Sequence, residues 1–484
     1  MASTAMAEKN SAPSATSAST SVWLKLTHGF GSSALGIKEG GFSYFLLLFY
    51  GTVVGLEPGL VGLAILIALV IDAISDPLVG YWSDNFRSRW GRRHPFMYAS
   101  AIPVGLSYFL LWNPPEWSQM GLFLYLTGLA IIIRTFITFY ETPSSALLPE
   151  LSSDYEERTS IQSFRMFFAW ASGNVMSVLM FGVLLAGPLG MQDRSGYETY
   201  GILASCIIFA AIVLSSMATH HRIPSLSKAP PARAERFSLL SIMREMFDIL
   251  RERSFIALFL ATILFAMATG LNTSLAFLML KHFWGLSEHQ IFIWTATVFV
   301  SAGIALVIGP MIGRKFGKKK GALVLGLLAF TIQPAPYLLR LAGLMPENGD
   351  PVLFPLILSI NVIDLALIIA VQILAYAMVA DLVESNQLRT GKRSEGVYYA
   401  AMTFTRKSTQ GLGVLAAGLI LSAVAFPQGE DLVSVAPDTL WNLGALYAPS
   451  LLVLWMSALF CLSRYKIDKA QHEANLAALS SGQS

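Results

Sequence analysis

Two aspartates, Asp72 and Asp76, stand four residues apart in the apolar run LVIDAISDPLVGYW at 69–82. On a helix that spacing puts both carboxylates on one face, with Ser75 close to it. Each charge at the centre of a membrane helix costs about 2.5 to 3.5 kcal/mol on insertion scales, so such a pair points first to function. Clustered oxygens can ligate a hard cation such as Na⁺. Two close carboxylates in a dry setting cannot easily both stay ionised, so the pair could instead hold a proton. The structural alternative is that they pair with basic residues to hold a bundle together. What offsets their charge is then a cation or Lys407, because the arginines at 87–93 are a helix end away.

Other charges also fall inside apolar runs: Arg134, Glu141, Arg165, Asp364, Arg406 and Lys407. Arg134 and Glu141 are seven apart and share a helix face, as a structural pair or as the lining of a polar cavity. Arg165 lies near one end of its run, where a snorkelling anchor is the alternative. Lys407 lies too deep to snorkel and is a natural partner for acids on another helix. The sequence holds no GxxxxGK[ST], GxSxG or HExxH motif and no spaced Cys/His set, which argues against an enzyme and against a bound cofactor. Cys206 and Cys461 sit in apolar runs, as neither disulfide partners nor metal ligands. The histidines fall mostly in breaks and at helix ends and read as solvated. The spacing of Gly36 and Gly40 reads as close helix packing.

The elements that must position these groups are membrane helices. Of the 484 residues 54% are hydrophobic and 13% charged, and long unbroken apolar runs favour helices over the alternation of a barrel. The net charge of +3 does not suggest a nucleic-acid partner. Twelve spans are expected, near 32–54, 59–82, 96–113, 119–142, 163–187, 199–218, 255–280, 290–312, 321–343, 352–380, 397–425 and 440–463. Lys and Arg gather in alternate breaks, so those breaks and both termini face the cytoplasm. The organisation that follows is a disordered tail at 1–21, a six-helix bundle at 22–218, a cytoplasmic linker at 219–253, a second bundle at 254–464 and a tail at 465–484. The linker begins Pro-rich, and its later part suits an amphipathic helix on the membrane surface. GYWSDNFRSRWGRR at 80–93 and GPMIGRKFGKK at 309–319 occupy the same break in each half, as in carriers built from paired repeats.

DAISDPLVG followed by SRWGRRHP resembles the signature of the glycoside-pentoside-hexuronide:cation symporters, the melibiose-permease-like branch of the major facilitator superfamily. The likeness continues through GFG at 29–31, VVGL at 53–56, ETPSSALLPEL at 141–151, RMFFA at 165–169, VADLVE at 379–384 and KRSEGVYY at 392–399. It implies the major facilitator fold, two pseudo-symmetric six-helix bundles around a central site, in the cell's inner or plasma membrane. It also implies a symporter working as a monomer in the bilayer, coupling Na⁺ or H⁺ entry to uptake of a saccharide.

Residue by residue, the resemblance makes Asp72 and Asp76 the cation-binding acids, and the Na⁺ ligands if sodium is the ion. Ser75 replaces a neighbouring asparagine, Thr138 is a hydroxyl near the site, and Lys407 is the lysine beside it. Glu141 stands at a sugar-binding acid and Arg165 at the arginine that helps hold the sugar, with Arg134 as a further substrate-binding candidate. Asp84, Arg158, Asp381, Glu384 and Arg393 form an inner gate of charges. Gly36 replaces a sugar-binding acid, with Lys38 and Glu39 nearby, and Ser145 replaces a stacking tryptophan; both point away from a galactoside. Animal members of the superfamily branch carry lysophospholipids, so an amphipathic cargo is the second reading. A receptor derived from a transporter is a third.

Overall fold

The computed structural model describes residues 21–151, 155–223, 253–390, 395–427 and 435–465, and every regular element among them is a helix. The first part contains α1 (Val22–Phe30), α2 (Ser33–Gly40), α3 (Leu46–Leu48), α4 (Pro58–Asn85), α5 (His94–Leu111), α6 (Gln119–Leu151), α7 (Tyr155–Leu179) and α8 (Arg194–His220). The second contains α9 (Arg253–Leu278), α10 (Glu288–Ala296), α11 (Val298–Phe316), α12 (Lys318–Ile332), α13 (Ala335–Leu341), α14 (Leu353–Thr390), α15 (Glu395–Ala423) and α16 (Pro437–Ser463). The surface helix expected in the linker falls at positions outside the described residues.

Nine helical stretches among the described residues are long and apolar enough to cross a membrane. The expected spans not among them are 32–54, 96–113 and 397–425. Two π turns, at 41–45 and 49–53, divide the first. The second is an 18-residue helix that opens on His94 and Pro95. In the third, the side chains of 397–408 lie outside the described residues, and 409–423 is a shorter apolar helix.

The neighbours of each helix repeat between the two parts. α4 packs on α6, α6 on α5, α5 on α8, and α2 on α7. In the second part α11 packs on α14, α14 on α12, α12 on α16, and α9 on α15. The two loops that look alike in sequence also share a backbone device. Gly91 and Gly317 have φ of 75° and 80°, a left-handed conformation that glycine alone adopts without strain.

The two parts meet most closely where the start of α4 runs against the end of α15. The Gly59 N–H donates to Ser422 Oγ at 3.3 Å, and Gly411 packs against Leu66 and Leu69. A Cβ on Gly62 would lie 2.8 Å from Leu415 Cα, and one on Gly418 only 2.2 Å from the Pro58 carbonyl oxygen. Small residues let the two backbones touch, which lipid-solvated helices need because no hydrophobic force drives them together. Beside this seam the Phe277 ring of α9 stacks on Phe45 at 5.4 Å and meets Phe181 at 4.3 Å.

The Gly36–Gly40 spacing does serve close packing, since a Cβ on Gly36 would lie 1.8 Å from the Ala169 carbonyl oxygen of α7. An acid at this position has no room while α2 and α7 pack this way.

In an exposed helix Gly→Ala adds about 1 kcal/mol of stability. Gly418→Ala should instead destabilise, by the roughly 1 to 3 kcal/mol of an overpacked contact. Thermal unfolding of purified protein in detergent checks this; a midpoint at or above that of the parent would remove the seam's steric role.

Candidate functional site

α4 and α6 run side by side in the same direction, so residues four apart on one face residues four apart on the other. Asp72 meets Arg134, and one turn on Asp76 meets Thr138. Arg134 Nη1 donates to Asp72 Oδ2 at 3.3 Å, with the aspartate fully buried and the arginine 2% exposed. The guanidinium also stacks over the Phe42 ring, 4.8 Å from its centre, a cation–π contact strengthened by exclusion of water. Thr138 Oγ1 lies 2.7 Å from Asp76 Oδ1 and 3.1 Å from Asp72 Oδ1. Its single hydrogen can serve only one carboxylate at a time, while its lone pairs can accept from a protonated one.

Among the described residues Asp72 has a counter-charge that the sequence reading did not pair with it, Arg134 of the neighbouring helix at the same depth. Asp76 and Thr138 stand together as the resemblance implied. Ser75 Oγ, by contrast, donates to its own helix at the Asp72 carbonyl, 3.0 Å away.

A second polar cluster joins α6 and α7 to the α1–α2 turn. Arg165, 5% exposed, donates through Nη2 to Ser145 Oγ at 2.8 Å and through Nε to Ser32 Oγ at 3.4 Å. Glu141 lies within electrostatic reach of that guanidinium. The structure thus brings Arg165 and Glu141 near each other and places Arg134 with the acids of α4 instead. Ser145, where a stacking ring would otherwise lie, is an acceptor for Arg165.

At the end of α4 the arginine loop is tied to α6. Arg93 Nη2 pairs with Asp84 Oδ1 at 3.3 Å and Arg93 Nη1 with Glu150 Oε1 at 3.0 Å, while Arg92 also bonds Glu150. Glu150 was missed from the sequence; its signal was an acid at the end of α6 on the same side as the basic loop. Lys25 Nζ adds a bridge to Glu157 at 3.6 Å. The side chains of Arg158, Asp381, Glu384 and Lys407, and the whole of Arg393, lie outside the described residues.

Two histidines depart from the solvated reading. His28 and His94 are fully buried where the ends of α1, α5 and α8 converge. His94 Nε2 lies 3.0 Å from Thr219 Oγ1, its ring centre 5.7 Å from that of His220, and His220 Nδ1 is 3.1 Å from Tyr98 OH. Neither ring nitrogen of His28 has a hydrogen-bond partner among the described residues. Burial, then the charges of Arg165 and His94, brings His28 down to about 3. Burial, then His220, brings His94 down to about 4.

The family model described as MFS/sugar transport protein matches residues 27–469. The chain belongs to that family. Within it the chain resembles the "Uncharacterized symporter sll1374" of Synechocystis, at 25% identity over 93% of this chain and 94% of the relative. The "Putative glycoside/cation symporter YagG" of Escherichia coli is 26% identical over 93% of each chain. A bacterial homologue of the human lysosomal transporter Spinster, solved inward-facing and unoccupied, shares the fold. It superposes with a TM-score of 0.65 at 14% identity, covering 95% of this chain and 97% of its own. The protein is therefore a multi-pass membrane protein and not an enzyme, among the glycoside-pentoside-hexuronide:cation symporters that its α4 motif resembles.

The buried histidines make a pH dependence that has a definite sign. Both rings are held neutral in the folded protein, whereas in the unfolded chain they take up protons below the ordinary value of 6.5. Stability should be full above that pH and fall as pH drops toward about 4 and then about 3. His94→Gln should flatten the decline, read as thermal midpoints between about pH 7 and about pH 4. A slope unchanged by the substitution would show that His94 does not contribute.

Proposed function

We propose that this protein is a symporter that couples Na⁺ or H⁺ entry to uptake of a sugar or glycoside by alternating access. The observation that carries the reading is the grouping of Asp72, Asp76, Arg134 and Thr138 at the α4–α6 contact. The three charged side chains together carry one negative charge, which one Na⁺ or one H⁺ neutralises. Na⁺ would take oxygens from Asp72, Asp76 and Thr138. A proton on Asp76 would turn Thr138 from donor to acceptor. Lys407 is a fifth member of this site in the proposal: its ammonium would balance the remaining negative charge while no cation is bound and give way when one binds.

The working architecture is twelve membrane helices in two pseudo-symmetric six-helix bundles, at 22–218 and 254–464, with cytoplasmic termini. The three helical stretches that fall short of a simple apolar span complete that count, and the repeated pattern of neighbours supports it. In that orientation the α4–α15 seam is the outer closure, and the described conformation is closed to the outside. α4 thus carries the cation acids and half of the outer seam, which gives cation binding a rigid link to the gate. The gate on the inner side would use Asp84, Arg158, Asp381, Glu384 and Arg393.

Glu141 and Arg165 would grip the cargo, the carboxylate accepting from hydroxyls and the guanidinium donating its planar fork. Cation and substrate must then raise each other's affinity by the same factor. The site is formed within one chain, so a monomer in the bilayer suffices.

Proteoliposomes with imposed Na⁺ or H⁺ gradients, offered a panel of glycosides, pentoses, uronides and lysophospholipids, test the proposal. One gradient should drive accumulation of a saccharide, and Asp76→Ala should abolish that dependence. Uptake of a lysophospholipid alone would assign the amphipath reading, and gradient-driven uptake surviving in Asp76→Ala would remove the cation site. Thr138→Val should weaken the apparent affinity for the driving cation about tenfold, the loss of one hydrogen bond to a charged group.

A further inference from the structure

The second part of the chain contains a buried acid that the α4–α6 site does not use. Asp364, midway along the apolar stretch Leu353–Ala375 of α14, is 4% exposed, and its Oδ1 is sealed from solvent with no hydrogen-bond partner among the described residues. A polar cluster lies within its electrostatic reach. Gln333 Nε2 donates to Asn272 Oδ1 at 3.0 Å, and Tyr447 OH donates to the same oxygen at 2.6 Å. Gln333 Oε1 is also buried without a partner. Tyr337 and Tyr447 lie within electrostatic reach of Asp364.

Among the described residues, the helices packed against α14 supply no charge to balance a carboxylate at this depth. α11 presents Ser301, which donates to the Val362 carbonyl at 3.1 Å, and its charges, Arg314 and Lys315, come only in its last turn. α12 carries Lys318, Lys319 and Lys320 at its opposite end, and α13 carries Arg340 in its last turn. On α15 the side chains of Arg406 and Lys407 lie outside the described residues. A carboxylate can only accept hydrogen bonds, and Asp364 Oδ1 has no donor among the described residues. A carboxylic acid can donate, and this cluster contains an orphan acceptor in Gln333 Oε1.

We propose that Asp364 is a proton-binding site of the C-terminal half, separate from the Asp72–Asp76 pair and loaded in the conformation described here. The site asks for no particular cargo and does not depend on which ion the α4 acids take. The two sites sit in different halves of the molecule, so a proton at Asp364 is sensitive to movements of α14 that leave the α4–α6 contact unchanged.

Infrared spectroscopy of the purified full-length protein in lipid tests the site directly. At about pH 6 the difference spectrum between the parent and Asp364→Asn should contain the carbonyl band of one protonated carboxyl, and that band should fade reversibly by about pH 10. A difference spectrum with no such band means that Asp364 is already ionised and overturns the site. A band that persists at the higher pH means a permanently neutral structural acid and overturns it too. Should Asp364→Asn fail to fold, Asp364→Glu serves in its place: the band should then shift in frequency, and an unshifted band overturns the assignment.

Discussion

The Asp72–Arg134 pair is the interaction around which the first half of the molecule is arranged. A lone carboxylate at membrane depth is strongly unfavourable, and so is a lone guanidinium. Each is tolerable only while the other stays within a few ångströms, which sets the register of α4 against α6. Removing one partner from such a pair costs far more than the pair contributes, because the survivor stays buried and uncompensated. Once the register is set, Asp76 and Thr138 have no freedom left: one turn further along, they meet at 2.7 Å. The site is then a consequence of the charge pair plus helical periodicity.

α4 connects this electrostatic contact to a steric one. Its acids face α6 within the first half, while Gly59 and Gly62 near its start face α15 across the molecule. The two contacts have different physics. The charge pair is short-ranged and demands an exact partner. The glycine seam depends mainly on shape, and parting it breaks one hydrogen bond, from the Gly59 N–H to Ser422 Oγ, and no ion pair among the described residues. A helix held firmly on one side and lightly on the other suits a carrier whose halves must rock. The arginine loop at the far end of α4, tied through Arg93 to Asp84 and Glu150, keeps that end with the first half.

Polar groups away from this axis follow the same rule of burial with a specific partner, and departures from it are informative. Arg165 satisfies its guanidinium with two serine hydroxyls, Ser32 and Ser145, and so keeps a cation in the interior beside Glu141. His28 and His94 are buried as neutral rings, a form that needs no counter-charge. Gly36 is small because the Ala169 carbonyl occupies the space a side chain would need.

The family, the membrane setting and the two acids on one face of α4 were legible in the sequence. Charged residues in apolar runs are rare enough to stand out, and the DAISDPLVG and SRWGRRHP motifs are specific. Periodicity also showed that Asp72 and Asp76 share a face, because that depends on one helix alone. What the sequence left undecided was everything that depends on register between helices. Nothing along the chain says that Arg134 meets Asp72, that Ser75 turns back to its own backbone, or that Ser145 accepts from Arg165. The histidines at helix ends looked solvated because exposure there is decided by which other helix ends converge, and α1, α5 and α8 converge on His28 and His94. The sequence by itself determined which chemical groups enter the membrane and on which helical face. Only the tertiary structure decided which of them meet, because hydrogen bonds and ion pairs act over about 3 Å while the pattern along a chain constrains each helix separately.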